Sequence, residues 1–245
     1  RYFQNIFGCG SSVRNLSLPS PFPPQNLSLV ISDRISTLYR RRDETKEDVT
    51  STLIELVEHR RGNYLLYFPS YEYMMSVHNL FLARQPDMDI LIQEPAMTES
   101  ERDAFLLRFE KENEGTLVGF AVMGGIFGEG IDLVGDRLTG AAVVGVGLPA
   151  ICQERELIRE YYDQRGSGFE FSYLYPGINR VLQAAGRVIR SENDRGTVLL
   201  IDERFSRPTY RSLLPSYWQP VRVGDQEKLK KALSAFWSQE LHLPV

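Results

Sequence analysis

The residues with the clearest chemical potential lie in QAAGRVIRSENDRG, from Gln183 to Gly196. Wound as a helix at about 100° per residue, Gln183, Arg187 and Arg190 fall in one narrow sector, and Ile178, Val181, Leu182, Ala185 and Ile189 gather opposite them. The spacing therefore predicts a helix with one face in the core and the other aimed at phosphate, an anion whose geometry suits the planar guanidinium fork. Three and four positions from Arg187 stand Gln183, Ala184, Arg190 and Ser191, so the helix itself offers that charge no carboxylate. Gly186, placed inside this helix, would cost roughly 1 kcal/mol relative to alanine and is expected where a side chain would block a close approach. The plain alternative is a solvated polar face.

A second constellation follows the strand-like TLVGFAV. In MGGIFGEGIDL, Met123 to Leu133, glycines at 124, 125, 128 and 130 allow positive φ, while Glu129 and Asp132 put two carboxylates just past the strand. In an open parallel α/β sheet that is the ligand edge. The glycine spacing is not the dinucleotide fingerprint, and no glycine in the chain precedes a lysine, so no phosphate-gripping Walker A loop is present; a merely tight turn is the alternative. A third site is Pro69, Ser70 and Tyr71, where hydroxyls and helix N-terminal amides suit a phosphodiester, although a serine there also serves as a simple N-cap. Asp194, Arg195 and Gly196, with Asp202 and Arg204 one strand later, read as structural groups orienting the arginines.

Positioning these groups requires a framework, which the chain spells out as alternating β-rich and amphipathic runs. Strands are expected at Leu27–Ile31, Tyr64–Phe68, Asp89–Ile92, Leu117–Val122, Ala141–Val146 and Thr197–Ile201; helices at Glu44–Arg60, Tyr71–Ala83, Glu99–Glu112, Glu154–Gln164 and through Gln183. Strand followed by helix, repeated, implies an α/β fold with a parallel sheet covered on both faces. Thr98 and Glu101 form a capping box at the start of one helix. Residues 1–26, including the proline-rich SLPSPFPPQN, read as an extended connector lying on a domain formed by 27–245. Arg40, Arg41 and Arg42, followed by Asp43 and Glu44, read as a solvated helix approach, with a nucleic-acid patch as the alternative.

Composition limits the classes. With 245 residues, 42% of them hydrophobic, the chain can bury a real core. A net charge of -4 gives no global attraction to nucleic acid, so any such contact must be local. Two cysteines and three scattered histidines make neither a disulfide framework nor a metal cluster, and no run approaches the ~18 apolar residues of a membrane span. Reduced thiols, a cytoplasmic setting, no metal in this chain and no membrane partner are the expectations. The opening RYFQNIFGCGSS has no signal-peptide pattern and no initial methionine, and reads as the start of a fragment.

In order, these motifs resemble the second RecA-like lobe of the XPD/DinG family of superfamily 2 helicases, and among them the bacterial DinG-like branch most. PSPFPPQN resembles the approach to that lobe, LLYFPSY motif IV, GGIFGEGIDL motif V, GVGLP the segment after it, and QAAGRVIRSENDRG motif VI. The resemblance implies a P-loop-type parallel sheet without its own Walker A, acting in an ATP-dependent DNA helicase with 5′-to-3′ travel. It further implies that Gln183, Arg187 and Arg190 reach ATP bound with Mg²⁺ by the first lobe, an arginine acting as finger on the γ-phosphoryl group. Gly128, Glu129, Asp132 and Gly186 would couple the nucleotide to DNA, and Ser70, Tyr71, Gly124 and Gly125 would contact single-stranded DNA. The Walker A lysine, the Mg²⁺ carboxylates and, in many members, a 4Fe–4S domain belong to the first lobe, which is the implied partner of a monomeric, nucleoid-acting bacterial protein. The rival is a non-catalytic nucleic-acid or protein docking module derived from such a lobe.

Overall fold

The computed structural model describes residues 2–10, 13–14, 16, 18–110, 115–125, 127 and 138–239. In chain order these form α1 Tyr2–Ile6, β1 Leu27–Ser32, α2 Arg42–His59, β2 Asn63–Phe68, α3 Tyr71–Arg84, β3 Asp89–Ile92, α4 Glu99–Glu110, β4 Leu117–Val122 and β5 Gly140–Val144. The second half adds α5 Gln153–Asp163, α6 Tyr175–Ala185, β6 Gly196–Ile201, α7 Pro208–Arg211, β7 Val221–Val223 and α8 Gln226–Trp237. A π-helical turn, Glu170–Leu174, leads into α6.

The seven strands make one sheet in the order β3-β4-β2-β5-β6-β1-β7, parallel at every pairing. Parallel strands covered on both sides read as continuous apolar runs, and β2, with all six residues buried, is one. Its side chains still alternate: Leu65 and Tyr67 enter one core, Tyr64, Leu66 and Phe68 the other. The first core is closed by Phe105 and Phe109 of α4 and Ile178, Val181, Ala184 and Ala185 of α6. The second is closed by α2, α3 and α8, where Phe120 stacks on Phe68 at 5.7 Å and meets Phe81 edge-on at 5.4 Å. Each such ring pair adds about 0.5–1.5 kcal/mol beyond its buried area.

The capping box forms, with the Glu101 N–H donating to Thr98 Oγ1 at 3.3 Å and the Thr98 N–H to Glu101 Oε2 at 2.7 Å. The expected strand Ala141–Val146 is shorter at its end, because Gly145 and Gly147 turn the chain with φ of +90° and +68°. A Cβ on Gly147 would sit 2.5 Å from the Gly177 carbonyl oxygen, so this turn and the first turn of α6 pack backbone to backbone. The pair β7 and α8 is additional to the sequence expectation. The proline-rich stretch Leu18–Gln25 lines a cleft of about 770 Å³ with Leu182, Ala185, Gly186, Tyr217 and Trp218.

Candidate functional site

The arginines do not occupy the helical face expected for them. α6 stops at Ala185, and Gly186 is its cap rather than an interior residue, with φ −67° and ψ −1°. Beyond it the chain tightens, the Arg187 N–H donating to Ala184 O and the Val188 N–H to Ala185 O, both at 3.3 Å. Two causes compete successfully with the helix. Glycine is the weakest helix former after proline, and the Asp194 side chain offers the backbone an alternative partner. Its Oδ2 accepts the N–H groups of Arg190 and Ser191, each at 2.7 Å, and its Oδ1 accepts Ser191 Oγ at 2.7 Å.

Arg187 and Arg190 are both half-buried, and the charge of each acts on the fully buried phenol of Tyr67 on β2. Burial raises the Tyr67 pKa well above the ordinary tyrosine value, and the two guanidiniums oppose that rise. The Tyr67 hydroxyl remains a neutral donor, to Phe127 O at 3.0 Å. Gln183 is exposed on the last turn of α6, and Gly186 is exposed at the rim of the proline-lined cleft.

The second set sits at the carboxyl edge of the sheet. Ser70 caps α3, its Oγ accepting the Tyr73 N–H at 3.4 Å. Gln93, just after β3 and 4% exposed, donates from Nε2 to the Tyr71 hydroxyl and accepts the Val122 N–H at Oε1, both at 2.8 Å. A Cβ on Gly125 would lie 3.3 Å from that same Nε2. Gly124, at φ +72°, lies beneath Arg180 of α6, whose Nε would be 2.5 Å from a Cβ there. Ser70, Tyr71, Gly124 and Gly125 thus share an edge, with Gln93 and Arg180 added. Sequence spacing carried no signal for either addition, since each reaches its glycine across the sheet. Gly128, Glu129 and Asp132 lie outside the described residues.

The two sets are joined by α6. Gly177 packs on Gly147 past the end of β5, whereas Val188 packs on Gly196 at the start of β6, so the helix runs from the carboxyl edge back to the amino edge. Arg180 covers the glycine turn from a position three residues before Gln183.

Of the groups expected to orient the arginines, Asp194 holds the backbone of Arg190. Arg195 instead closes α8, donating to Gln239 O at 2.7 Å and to Phe236 O, with its guanidinium 4.5 Å from the Phe236 ring. Asp202, wholly buried, receives Arg204 Nε and the Arg204 N–H at 2.7 Å on Oδ1, and the Thr37 N–H at 3.1 Å and Thr37 hydroxyl on Oδ2. This network pins the β1–α2 loop. Burial would raise the Asp202 pKa, but the bonds and charge of Arg204 outweigh it and hold the carboxyl below its ordinary value. The run Arg40–Arg42 also divides: Arg40 and Arg41 are exposed, as expected of a solvated approach, and Arg42 is half-buried against aromatic rings.

Among the described residues no group of three or more His, Cys, Asp or Glu could hold a metal ion, and no helix is long and apolar enough to cross a membrane. Cys9 and Cys152 are exposed thiols.

Residues 53–221 match the model of the helicase C-terminal domain. The chain is 29% identical over 208 residues to a probable ATP-dependent helicase of Methanocaldococcus jannaschii, covering 78% of this chain and 31% of that protein. It is 29% identical over 211 residues to the ATP-dependent DNA helicase DinG of Photobacterium profundum, covering 84% of this chain and 30% of the relative. A solved structure of XPD superposes with a TM-score of 0.66 at 20% identity over 81% of this chain and 40% of that one, a likeness of fold. The chain therefore spans less than a third of the length of the two sequence relatives.

Proposed function

The chain belongs to the helicase C-terminal domain family, is similar in sequence to a DinG helicase and shares its fold with XPD, and from this premise we propose that it is the second motor lobe of an ATP-dependent DNA helicase. In this reading Gln183, Arg187 and Arg190 complete an ATP site begun on another lobe. Ser70, Tyr71, Gly124 and Gly125 hold single-stranded DNA. Gly128, Glu129, Asp132 and Gly186 relay between the two. Travel in the 5′-to-3′ direction belongs to the proposal on the strength of the family alone.

The observation that supports it most is that Arg187 and Arg190 are both half-buried with their charges acting on Tyr67, the main chain of Arg190 being anchored by Asp194. Fixed cations suit charge that develops during phosphoryl transfer, because they need no reorganisation at the moment of reaction. The chemistry of ATP supplies the driving force; the residues here would orient and neutralise. No glycine–lysine pair is present for a phosphate loop, so Mg²⁺ and most of the triphosphate would be held by the other lobe.

The test is the steady-state ATPase of the whole protein with and without single-stranded DNA. Arg187→Ala should lower DNA-stimulated turnover by about 10³-fold while sparing most ATP affinity, and Arg187→Lys should rescue poorly, since a point charge cannot reproduce the planar fork. The chain alone should hydrolyse no ATP. Wild-type turnover in Arg187→Ala and Arg190→Ala alike would return both residues to a solvated surface.

A further inference from the structure

The short turn Tyr39–Arg41 at the start of α2 is used neither by the arginine segment nor by the glycine edge. Tyr39 is 76% exposed. It is not loose. The Arg42 guanidinium lies 5.4 Å from its centroid and 4.6 Å from that of Tyr73, so the cation stands between a surface ring and a buried one. Arg42 Nε also donates to Thr37 O at 3.4 Å, and Thr37 is locked to buried Asp202.

This turn is continuous with the edge already described. Thr37 Oγ1 would be 3.0 Å from a Cβ on Gly145, and the Pro69 ring 4.0 Å from the same point, which seats the loop beside Pro69 and Ser70. Tyr73, under Arg42, is the residue whose N–H Ser70 caps. From β1 to β2 the edge crosses three strand spacings, roughly 14 Å, enough for a short stretch of single strand. Arg40 and Arg41 are exposed next to the ring; of the carboxylates near them, Glu44 meets Arg41 at 3.2 Å, Asp43 pairs with Lys46 at 3.0 Å, and Glu72 acts on Arg42.

We propose that Tyr39, backed by Arg42, is a stacking platform for one nucleobase, with Arg40 and Arg41 contacting the adjoining phosphates, so that the single-strand path continues from Ser70 over the β1–α2 turn. An aromatic face beside cations accepts any base, because every base has a π-face, and so lends affinity without sequence preference. A stable protein-docking patch would cover about 800 Å² on this side, far more than one ring among three arginines. The inference rests on the nucleic-acid part of the function proposed above.

It is tested on the whole protein by anisotropy of labelled (dT)20 across a salt series. Tyr39→Ala should weaken binding about 5- to 100-fold, whereas Tyr39→Phe and Tyr39→Trp should hold it within about twofold. Arg40→Gln should reduce the slope of log affinity against log salt by about 0.7. Thermal midpoints should stay unchanged, because the ring is exposed. If the wild-type protein binds (dT)20 and Tyr39→Ala binds it equally well, the platform is overturned and the motor reading stands. If Tyr39→Phe falls as far as Tyr39→Ala, a hydrogen bond from the hydroxyl replaces stacking and the proposal fails. A wild-type protein that does not bind (dT)20 at all overturns the nucleic-acid reading itself.

Discussion

Asp194 holds Arg190 by the main chain: the carboxylate, 4% exposed, accepts the Arg190 N–H at 2.7 Å from four residues downstream. A side chain thereby sets the path of a segment that would otherwise continue as helix.

Removing that carboxylate should act on the arginines without touching them. Asp194→Ala in the whole protein is expected to lower DNA-stimulated ATPase by about 10²-fold, the cost of misplacing a group at a reacting centre by about an ångström, and to destabilise the fold by about 2–4 kcal/mol, since three hydrogen bonds to a buried carboxylate are lost. ATP affinity should change little. Unaltered turnover with the expected loss in thermal midpoint would make Asp194 a purely structural brace.

The glycine turn gives a second prediction, read as stability. Gly124→Ala must adopt a left-handed backbone, costing about 1–2 kcal/mol, and must displace Arg180 from over it. Only the second penalty is steric between side chains. Urea denaturation of Gly124→Ala, Arg180→Ala and the double variant should therefore show a double-mutant loss smaller than the sum of the singles. Strict additivity would mean that Arg180 moves aside without cost.

A third concerns acid. Asp202 has a folded pKa below its unfolded value of about 3.9, so its contribution is complete at neutral pH and is lost as pH falls from about 5 through the folded pKa. Asp202→Asn leaves Arg204 buried and under-compensated, which should cost about 3–5 kcal/mol at pH 7. The gap between variant and wild type in urea midpoint should narrow at pH 3. A gap independent of pH would assign the loss to packing alone.

How far the sequence spoke for itself varied with the range of the interactions involved. Expected strands and helices fell near their observed places wherever local pattern decides: the fully buried β2, the capping box at Thr98, the cap at Ser70. The end of α6 was hidden because Asp194 reaches back across a turn, which a helical wheel cannot represent. β7 has only three residues, two of them exposed, and shows no apolar run. α8 did carry a signal, an Asp225 cap followed by Leu229, Leu233 and Phe236 on one face. Arg180 over Gly124 and Gln93 under Tyr71 are contacts between distant elements, and nothing in local spacing encodes them.

The place of β1 in the sheet bears on how the chain is made. Its neighbours are β6 and β7, with Leu27 opposite Gly196 and Val30 opposite Val221. At roughly 5–20 residues per second, on the order of ten to thirty seconds separate the emergence of β1 from that of its first partner. During that interval a strand of sequence LSLVIS waits with both edges open. Within this sheet β1 is made before either of its partners, and the segment carrying Arg187, Arg190 and Asp194 lies just ahead of the first of them, β6.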